Sequence, residues 1–460
     1  MTVSAATAFS STKHVLNEMK VLIHTYGCQM NVRDSEAVEA LLMAAGHEKA
    51  AGEADADLVI VNSCTVRQKA EEKAVGKTGH LCASGKLVGL MGCAVKRLGD
   101  DVFKRLPKLD FAVGPRALGL IPKILEEGRF PRLELGDEHL GDALSAHSCG
   151  GFQAFVTILV GCDNRCSYCI VPDVRGPEYS RPAREVVAEV RALVARGVKE
   201  VCLLGQSVLR YGMRNPAWSE ADAPSPSGYT EAFPRLLEAL SAIPGLERIR
   251  FTSAHPKGCT EELLRAYREF PQVCRHLHLP VQSGSDRVLA EMGRRYTRAE
   301  YLEAVAKLRA FDPEFALTTD VIVGYPGETD ADFESTRSLM EEAGFDNAFI
   351  FKYSPRPGTR SAALADDVAK EEKARRDHVL LADQEARGLN RNAALVGTVR
   401  EVLVEGPSKR NKARLSGRDS GNRIVVWDAA EDSLPAPAGS VARVRIDEAH
   451  AQILVGTRVS

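Results

Sequence analysis

Residues 161–172 read GCDNRCSYCIVP and place Cys162, Cys166 and Cys169 within eight positions. Gaps of four and three residues let one short loop turn all three thiols toward a single point. Thiolates held this way are soft ligands, suited to zinc, copper(I) or an iron–sulfur cluster. A lone cysteine is most often a small buried hydrophobe, whereas three at this spacing argue for a ligand set. The set is one short, because structural zinc and ordinary iron–sulfur clusters take four protein ligands. The three thiols either find a fourth partner elsewhere or leave one coordination position open for chemistry.

A fourth partner exists nearby in the chain. Residues 131–153, PRLELGDEHLGDALSAHSCGGFQ, show no sustained period and read as a linker that carries His147 and Cys149. Either could complete a zinc site with the clustered cysteines.

The elements that must position these groups follow from hydrophobic periodicity. Between Lys20 and Pro131, β-rich runs (KVLIHTYG, DLVIVNS, KLVGLMG, DFAVGP) alternate with helical patterns (DSEAVEALLMAAG, VRQKAEEKAVGKTGHLCA). Such alternation predicts βαβ units on a parallel sheet. Cys28, Cys64 and Cys93 each fall within a few residues of one predicted strand end, where parallel sheets bind ligands. Cys82 lies inside a helical pattern and reads as core.

From Ala154 the alternation resumes. Six strands are predicted at AFVTILVG, EVCLLG, RIRFTS, HLHLPV, LTTDVIVGYP and NAFIFKYSP, with amphipathic helices between them. This pattern predicts a partial (β/α)6 barrel, and in such folds chemistry gathers on the loops after the strands. The loop of Cys162, Cys166 and Cys169 follows the first of them. Cys202 and Cys274 sit in or beside strand patterns and read as core. Cys259 precedes a helix whose N-terminus would lower its pKa, although burial in the core is the plainer reading.

The last segment, Leu389 to Ser460, changes to short alternating runs separated by Gly, Ser, Asn and Pro. It predicts a small antiparallel barrel of about five strands, OB-like in pattern. Between Lys409 and Arg423 lie six basic residues (Lys409, Arg410, Lys412, Arg414, Arg418, Arg423) against the single acid Asp419. With Trp427 close by for stacking, this stretch is a candidate surface for an RNA backbone.

The whole chain has 460 residues, long enough for about three domains of ~150 residues. Its net charge of -2 excludes a globally basic nucleic-acid binder, so any such contact comes from a local patch. No stretch approaches the ~20 apolar residues that span a bilayer. The first 18 residues lack a secretory pattern and read as a disordered leader. A cytoplasmic location follows, and there eleven cysteines are better suited to metal binding, catalysis or core packing than to disulfides. The expected domains are 19–135, 148–385 and 389–460.

The two cysteine sets, their order and the final barrel resemble the radical S-adenosylmethionine methylthiotransferases, over nearly the full length from Lys20 to Ser460. In that family a C-x3-C-x2-C loop holds a four-iron cluster whose fourth iron is left to S-adenosylmethionine. The resemblance thus assigns Cys162, Cys166 and Cys169 to that [4Fe-4S] cluster. It assigns Cys28, Cys64 and Cys93 to an auxiliary [4Fe-4S] cluster, and residues 389–460 to a TRAM domain that binds RNA. The wording YGCQMNVRDSE, NSCTVRQKAEEK, LPVQSGSDRVLAEM and DVIVGYPGETDADFEST resembles the branch that modifies tRNA more than the branch acting on an aspartate of a ribosomal protein.

The resemblance implies that reductive cleavage of S-adenosylmethionine gives a 5′-deoxyadenosyl radical. That radical takes the hydrogen from carbon 2 of an isopentenylated adenine beside the anticodon, where a methylthio group is then placed. It also implies a tRNA partner, an electron donor such as flavodoxin or ferredoxin, no membrane and a monomeric chain. No other catalytic side chain is assigned. Ser207 in LLGQS, where the family usually has asparagine, and Asp173-Val174 in PDVRG depart from its wording and bear on loop detail and substrate fit. The turn Gly324–Glu328 is a candidate grip on S-adenosylmethionine. A two-cluster redox carrier and a zinc-bound RNA-binding module remain the readings from other classes.

Overall fold

The computed structural model describes residues 18–66, 68–136, 144–148, 150–429 and 436–459. The expected leader, apart from Glu18, and Cys149 of the alternative zinc set lie outside the described residues. The chain forms two compact units, one of residues 1–149 with 171–176, the other of 150–170 with 177–460.

In the first unit β1 (Lys20–Tyr26), β2 (Glu48–Lys49), β3 (Leu58–Ser63), β4 (Leu87–Gly92), β5 (Phe111–Val113) and β6 (Arg132–Glu134) form one parallel sheet in the order β2-β1-β3-β4-β5-β6. Helices cover both faces, so β3 is apolar nearly throughout and buried at every residue, as parallel sheets require. The alternation predicted β1, β3, β4 and β5. It missed β6, because Arg132–Glu134 opens the stretch read as a linker; three residues with no alternation leave no period to detect.

The second unit begins with β7 (Gln153–Thr157), β8 (Leu159–Val160), β9 (Tyr179–Ser180), β10 (Glu200–Leu204), β11 (Arg248–Phe251), β12 (His276–His278), β13 (Ala316–Val323) and β14 (Asn347–Lys352). Apart from the short β8–β9 pair, these are the six predicted strands. They run parallel in the order β7-β10-β11-β12-β13-β14, β11 joining the β12 segment through an Ile249–Val273 bridge. Alternation along each strand sorts its residues between two faces. On the outward face Val201, Leu203, Ile249, Leu277, Leu317, Thr319 and Val321 are fully buried under the flanking helices. The inward face is wetter: Phe155, Cys202, His278, Thr318, Asp320 and Ile322 are only partly buried. A full eight-stranded barrel packs its interior with side chains, whereas this six-stranded wall encloses a solvent-reached lumen. Cys202 therefore lines the lumen, while Cys274 and Cys259 are buried as expected. Burial pushes the Cys259 thiol up to about 12, opposite to the lowering expected at that helix start.

The expected boundary at 385–389 falls inside one helix, Lys370–Ala393. It leads into β15 (Val399–Pro407), β16 (Arg414–Arg418), β17 (Ile424–Asp428), β18 (Val441–Ala449) and β19 (Ile453–Val459), a closed barrel in the order β15-β16-β17-β19-β18. All its pairs are antiparallel except β17–β19. Trp427, expected on the surface for stacking, is instead 1% exposed and fills the barrel core. Its position on β17 points inward, and a large ring is the economical filler of a small barrel.

The turn between β16 and β17 docks under the N-terminal ends of the lumen strands. Arg250 on β11 donates to the carbonyls of Asp419 at 2.7 Å and Ser420 at 3.2 Å, and to Glu200 of β10 at 2.8 Å. Arg248 donates to the carbonyl of Glu401 at 2.9 Å, and Arg423 returns to Asp346 at 2.7 Å. The lumen is thereby closed at its base and open toward the strand C-termini. Removing one partner of a buried ion pair leaves the other charged and unpaired, at a cost of about 3–5 kcal/mol. Arg250→Leu is therefore expected to lower the thermal unfolding midpoint clearly, and the double change Arg250→Leu with Glu200→Leu to recover part of that loss, as followed by calorimetry.

Candidate functional site

In the first unit the sheet order reverses direction between β1 and β3, the crevice where open parallel sheets hold ligands. Cys28 caps helix α1 (Gln29–Ala44) directly after β1, Cys64 follows β3, and Cys93 opens the short helix Cys93–Leu98 directly after β4. All three strand-end placements are as the alternation predicts. Two of the thiols sit at helix N-termini, where partial positive charge favours thiolate.

Local packing presses these loops together. A Cβ added to Gly27 would lie 2.3 Å from Asn31 Oδ1 and 2.8 Å from Cys64 Cβ, so only glycine lets the β1 loop approach Cys64. The buried Asn31 and Asn62 lock the arrangement. Asn31 Nδ2 donates to Asn62 Oδ1 at 3.0 Å, Asn62 Nδ2 donates to the Asn31 carbonyl at 2.8 Å, and Asn31 Oδ1 accepts from the Cys28 amide at 3.2 Å. Cys64 donates to Cys28, which with the nearby Arg175 holds the Cys28 thiol below its usual range; the same bond, with burial, holds Cys64 up. Burial also pushes Cys93 up, with Arg175 opposing.

Arg175 is the residue that sequence reasoning missed. It lies in the segment 171–176 that joins the first unit, is almost wholly buried, and donates to Asp34 at 2.7 Å. Its guanidinium faces Cys28 and Cys93. No spacing rule links it to cysteines more than eighty positions away. The Asp173-Val174 departure lies in the same turn of helix, with Val174 buried.

In the second unit the loop of Cys162, Cys166 and Cys169 follows β7 and β8 at the open end of the lumen. The Cys169 amide donates to the Cys166 carbonyl at 3.2 Å, and the Ser167 amide to the Met292 carbonyl at 2.8 Å. Arg294 Nη1 lies 3.6 Å from Cys166 Sγ and Arg294 Nη2 donates to the Pro280 carbonyl at 3.1 Å. Gly293, at φ 71°, would place a Cβ 3.2 Å from the Arg165 carbonyl. Burial pushes the Cys162 thiol up, Glu178 adding and Arg210 opposing.

The turn Gly324–Glu328 serves this loop from below. Its Gly324 and Tyr325 amides are both taken by the Glu328 carboxylate, which closes the turn on itself. Tyr325 instead shares a 2.8 Å hydrogen bond with Ser167 Oγ, between Cys166 and Cys169.

Around the same rim, buried polar atoms lack partners: Gln206 Oε1 and Ser207 Oγ after β10, and Glu178 Oε1 just before β9. Such atoms cost free energy unless a ligand or water meets them. Ser253 (φ 61°) and Gln282 (φ 73°), after β11 and β12, hold left-handed backbone, a strain that clusters at functional sites. Neither carried a sequence signal, since serine and glutamine rarely adopt it. Among the described residues no three His, Cys, Asp or Glu side chains stand together at the spacing of a bound ion. The donor chemistry nevertheless fits iron–sulfur ligation: each set offers thiols alone, beside a guanidinium, buried at Arg175 and half-buried at Arg294, that offsets thiolate charge.

The basic stretch divides. Arg414 pairs with Asp428 at 2.9 Å, Arg418 with Glu405 at 3.0 Å, and Arg423 with Asp346. Lys409, Arg410 and Lys412 stand exposed on the loop between β15 and β16.

Comparison with known proteins agrees with this anatomy. The radical SAM superfamily matches residues 156–340, the uncharacterized protein family UPF0004 matches 20–114, and the TRAM domain matches 393–459. The chain is similar to a radical S-adenosylmethionine methyltransferase of Kitasatospora setae, TsrM, solved with cobalamin and a [4Fe-4S] cluster bound. That likeness has a TM-score of 0.56 at 14% identity over 75% of this chain and 77% of that one, and speaks for the fold alone. Two tRNA-2-methylthio-N(6)-dimethylallyladenosine synthases are far nearer. That of Geobacter metallireducens is 44% identical over 95% of this chain and 98% of its own, and that of Akkermansia muciniphila 42% over 95% and 98%. With identity of this extent over nearly the full length of both chains, the chain belongs to the family of radical S-adenosylmethionine enzymes that comprises the tRNA-2-methylthio-N(6)-dimethylallyladenosine synthases.

Proposed function

We propose that this protein methylthiolates carbon 2 of N6-isopentenyladenosine beside the anticodon of tRNA, giving 2-methylthio-N6-dimethylallyladenosine. The observation that carries the reading is the near-full-length likeness to the named synthases, which spans both cysteine sets and the barrel. Cys162, Cys166 and Cys169 would hold the cluster with the open iron, and Cys28, Cys64 and Cys93 an auxiliary [4Fe-4S] cluster. When bound with S-adenosylmethionine, a four-iron cluster of the first kind supplies the one-electron chemistry that cleaves it.

The chain's own residues position and shield. Arg294 and the Ser167–Tyr325 hydrogen bond hold the cysteine loop against the strand ends. Gln206, Ser207 and Glu178 offer unsatisfied polar atoms to the amino, carboxylate and hydroxyl groups of S-adenosylmethionine. Serine in place of the family's usual asparagine at position 207 keeps a hydrogen-bonding atom there. Arg175 offsets the charge of the thiolates on the first unit. An adenine in an anticodon loop is unpaired, so no duplex need be melted to reach it. An electron donor of the flavodoxin or ferredoxin kind, a cytoplasmic location and a monomeric chain belong to the same reading.

Two outcomes test it. Anaerobically reconstituted protein should bind about eight irons, and replacing either Cys162, Cys166 and Cys169 or Cys28, Cys64 and Cys93 by alanine should halve that content. The first variant should form no 5′-deoxyadenosine, while the second should still form it yet transfer no methylthio group. Full iron in either variant, or the opposite split of activities, contradicts the assignment.

The second concerns RNA. Each phosphate neutralised on a single strand contributes about −0.7 to the log–log slope of affinity against salt. Changing Lys409, Arg410 and Lys412 to alanine should flatten that slope by about two units, read by fluorescence anisotropy of tRNA over a salt series. An unchanged slope would make this loop a solvated face.

A further inference from the structure

The inward wall of the lumen holds a polar and aromatic group that the cysteine loops do not use. His278 on β12 and Thr318 on β13 are register partners, as are Asp320 on β13 and Phe349 on β14. In a parallel pair, register partners share a face, and Thr318 and Asp320 are two residues apart, so all four point into the lumen. His278 Nδ1 lies 3.0 Å from Thr318 Oγ1, and His278 Nε2 lies 3.4 Å from Asp320 Oδ2. The Phe349 ring stands edge-on to His278 at 5.9 Å.

Exposure sets this group apart. Phe349 is 48% exposed, and the Asp320 side chain keeps 29% of its surface in solvent. The outward neighbours Thr319 and Val321 keep none. A structural ion pair in a core has no reason to stay wet, and a large apolar ring on a concave wall is costly unless something covers it. The base of the lumen is closed by Arg250 and the barrel turn, and β14 is an edge strand of the wall, so the ring is reached from the open end or from that edge.

Resting on the function proposed above, we infer that this wall receives the target base. The Asp320 carboxylate accepts the single N–H left on N6, and the Phe349 ring packs against the hydrocarbon group that N6 carries. An ionised carboxylate is an acceptor only, which matches that N–H. An aromatic ring on a lumen wall suits a base edge bearing an apolar substituent.

The test uses the reconstituted full chain with two tRNAs, one carrying an isopentenyl and the other a methyl group on N6 of the target adenosine. Phe349→Ala should reduce the kcat/KM preference for the isopentenyl tRNA by roughly ten- to a hundred-fold, and Phe349→Leu should retain most of it. Asp320→Ala should lower kcat/KM for both tRNAs alike, since both present the same N–H, with Asp320→Asn recovering part through its carbonyl oxygen. Iron content and the thermal midpoint should match the parent. A preference unchanged in Phe349→Ala, or a parallel fall on both tRNAs in that variant, overturns the assignment of the ring. Full activity of Asp320→Ala overturns that of the carboxylate. If the parent forms no methylthio product on either tRNA, the function reading itself fails; if the parent is active and Phe349→Ala and Asp320→Ala behave as the parent does, this inference alone falls.

Discussion

Parallel pairing is the constraint on which the molecule depends. When every strand of a sheet points the same way, every loop after a strand emerges at one edge, and residues remote in sequence are delivered to a common rim. The first unit uses this to bring Cys28, Cys64 and Cys93 to the crevice beside β1, β3 and β4. The second uses it to ring the mouth of a lumen with the cysteine loop, Gln206, Ser207, Ser253 and Gln282. Six strands rather than eight leave that lumen open along its inner wall, room that a closed barrel would have filled with side chains. Fold and chemistry are therefore one problem, and a register slip in either sheet would scatter the two cysteine sets.

Burial disfavours the thiolate form that the proposed clusters would need, and the fold sets arginines beside the thiols. Arg175 stands by Cys28 and Cys93, and Arg294 by Cys166. Neither is a surface charge in high dielectric, so each acts with little screening. The same residue type performs a different task at the base of the lumen, where Arg248 and Arg250 donate to barrel carbonyls and make the core and the barrel one body. Arg423 belongs to that seam, while Arg414 and Arg418 pair with acids of the barrel itself, so half of a conspicuous basic run is already engaged by carboxylates.

Much of this was legible in the sequence. Hydrophobic alternation marks six lumen strands, and the cysteine positions fall at strand ends because the chemistry demands it. Periodicity fails where elements are too short or too polar to repeat, as at Arg132–Glu134 and in the helix Lys370–Ala393 with its high charge. It also cannot tell an exposed ring from a buried one: Trp427 and Phe349 both sit in alternating strands, yet the first fills a barrel core and the second faces a lumen. Arg175 was invisible for another reason. Its partners are long-range, and no local pattern marks an arginine as the companion of thiols. The charge run from Lys409 to Arg423 overstated itself likewise, since composition counts charges and only contacts show which are already paired.

The central claim is that this chain adds a methylthio group to a prenylated adenosine of tRNA. The most direct measurement is nucleoside mass spectrometry of tRNA bearing N6-isopentenyladenosine after anaerobic incubation with the reconstituted protein, a reductant and S-adenosylmethionine. The account predicts that the isopentenyladenosine peak is converted to its 2-methylthio derivative. Consumption of S-adenosylmethionine with that peak unchanged, or with the methylthio group found on a protein instead, would contradict it.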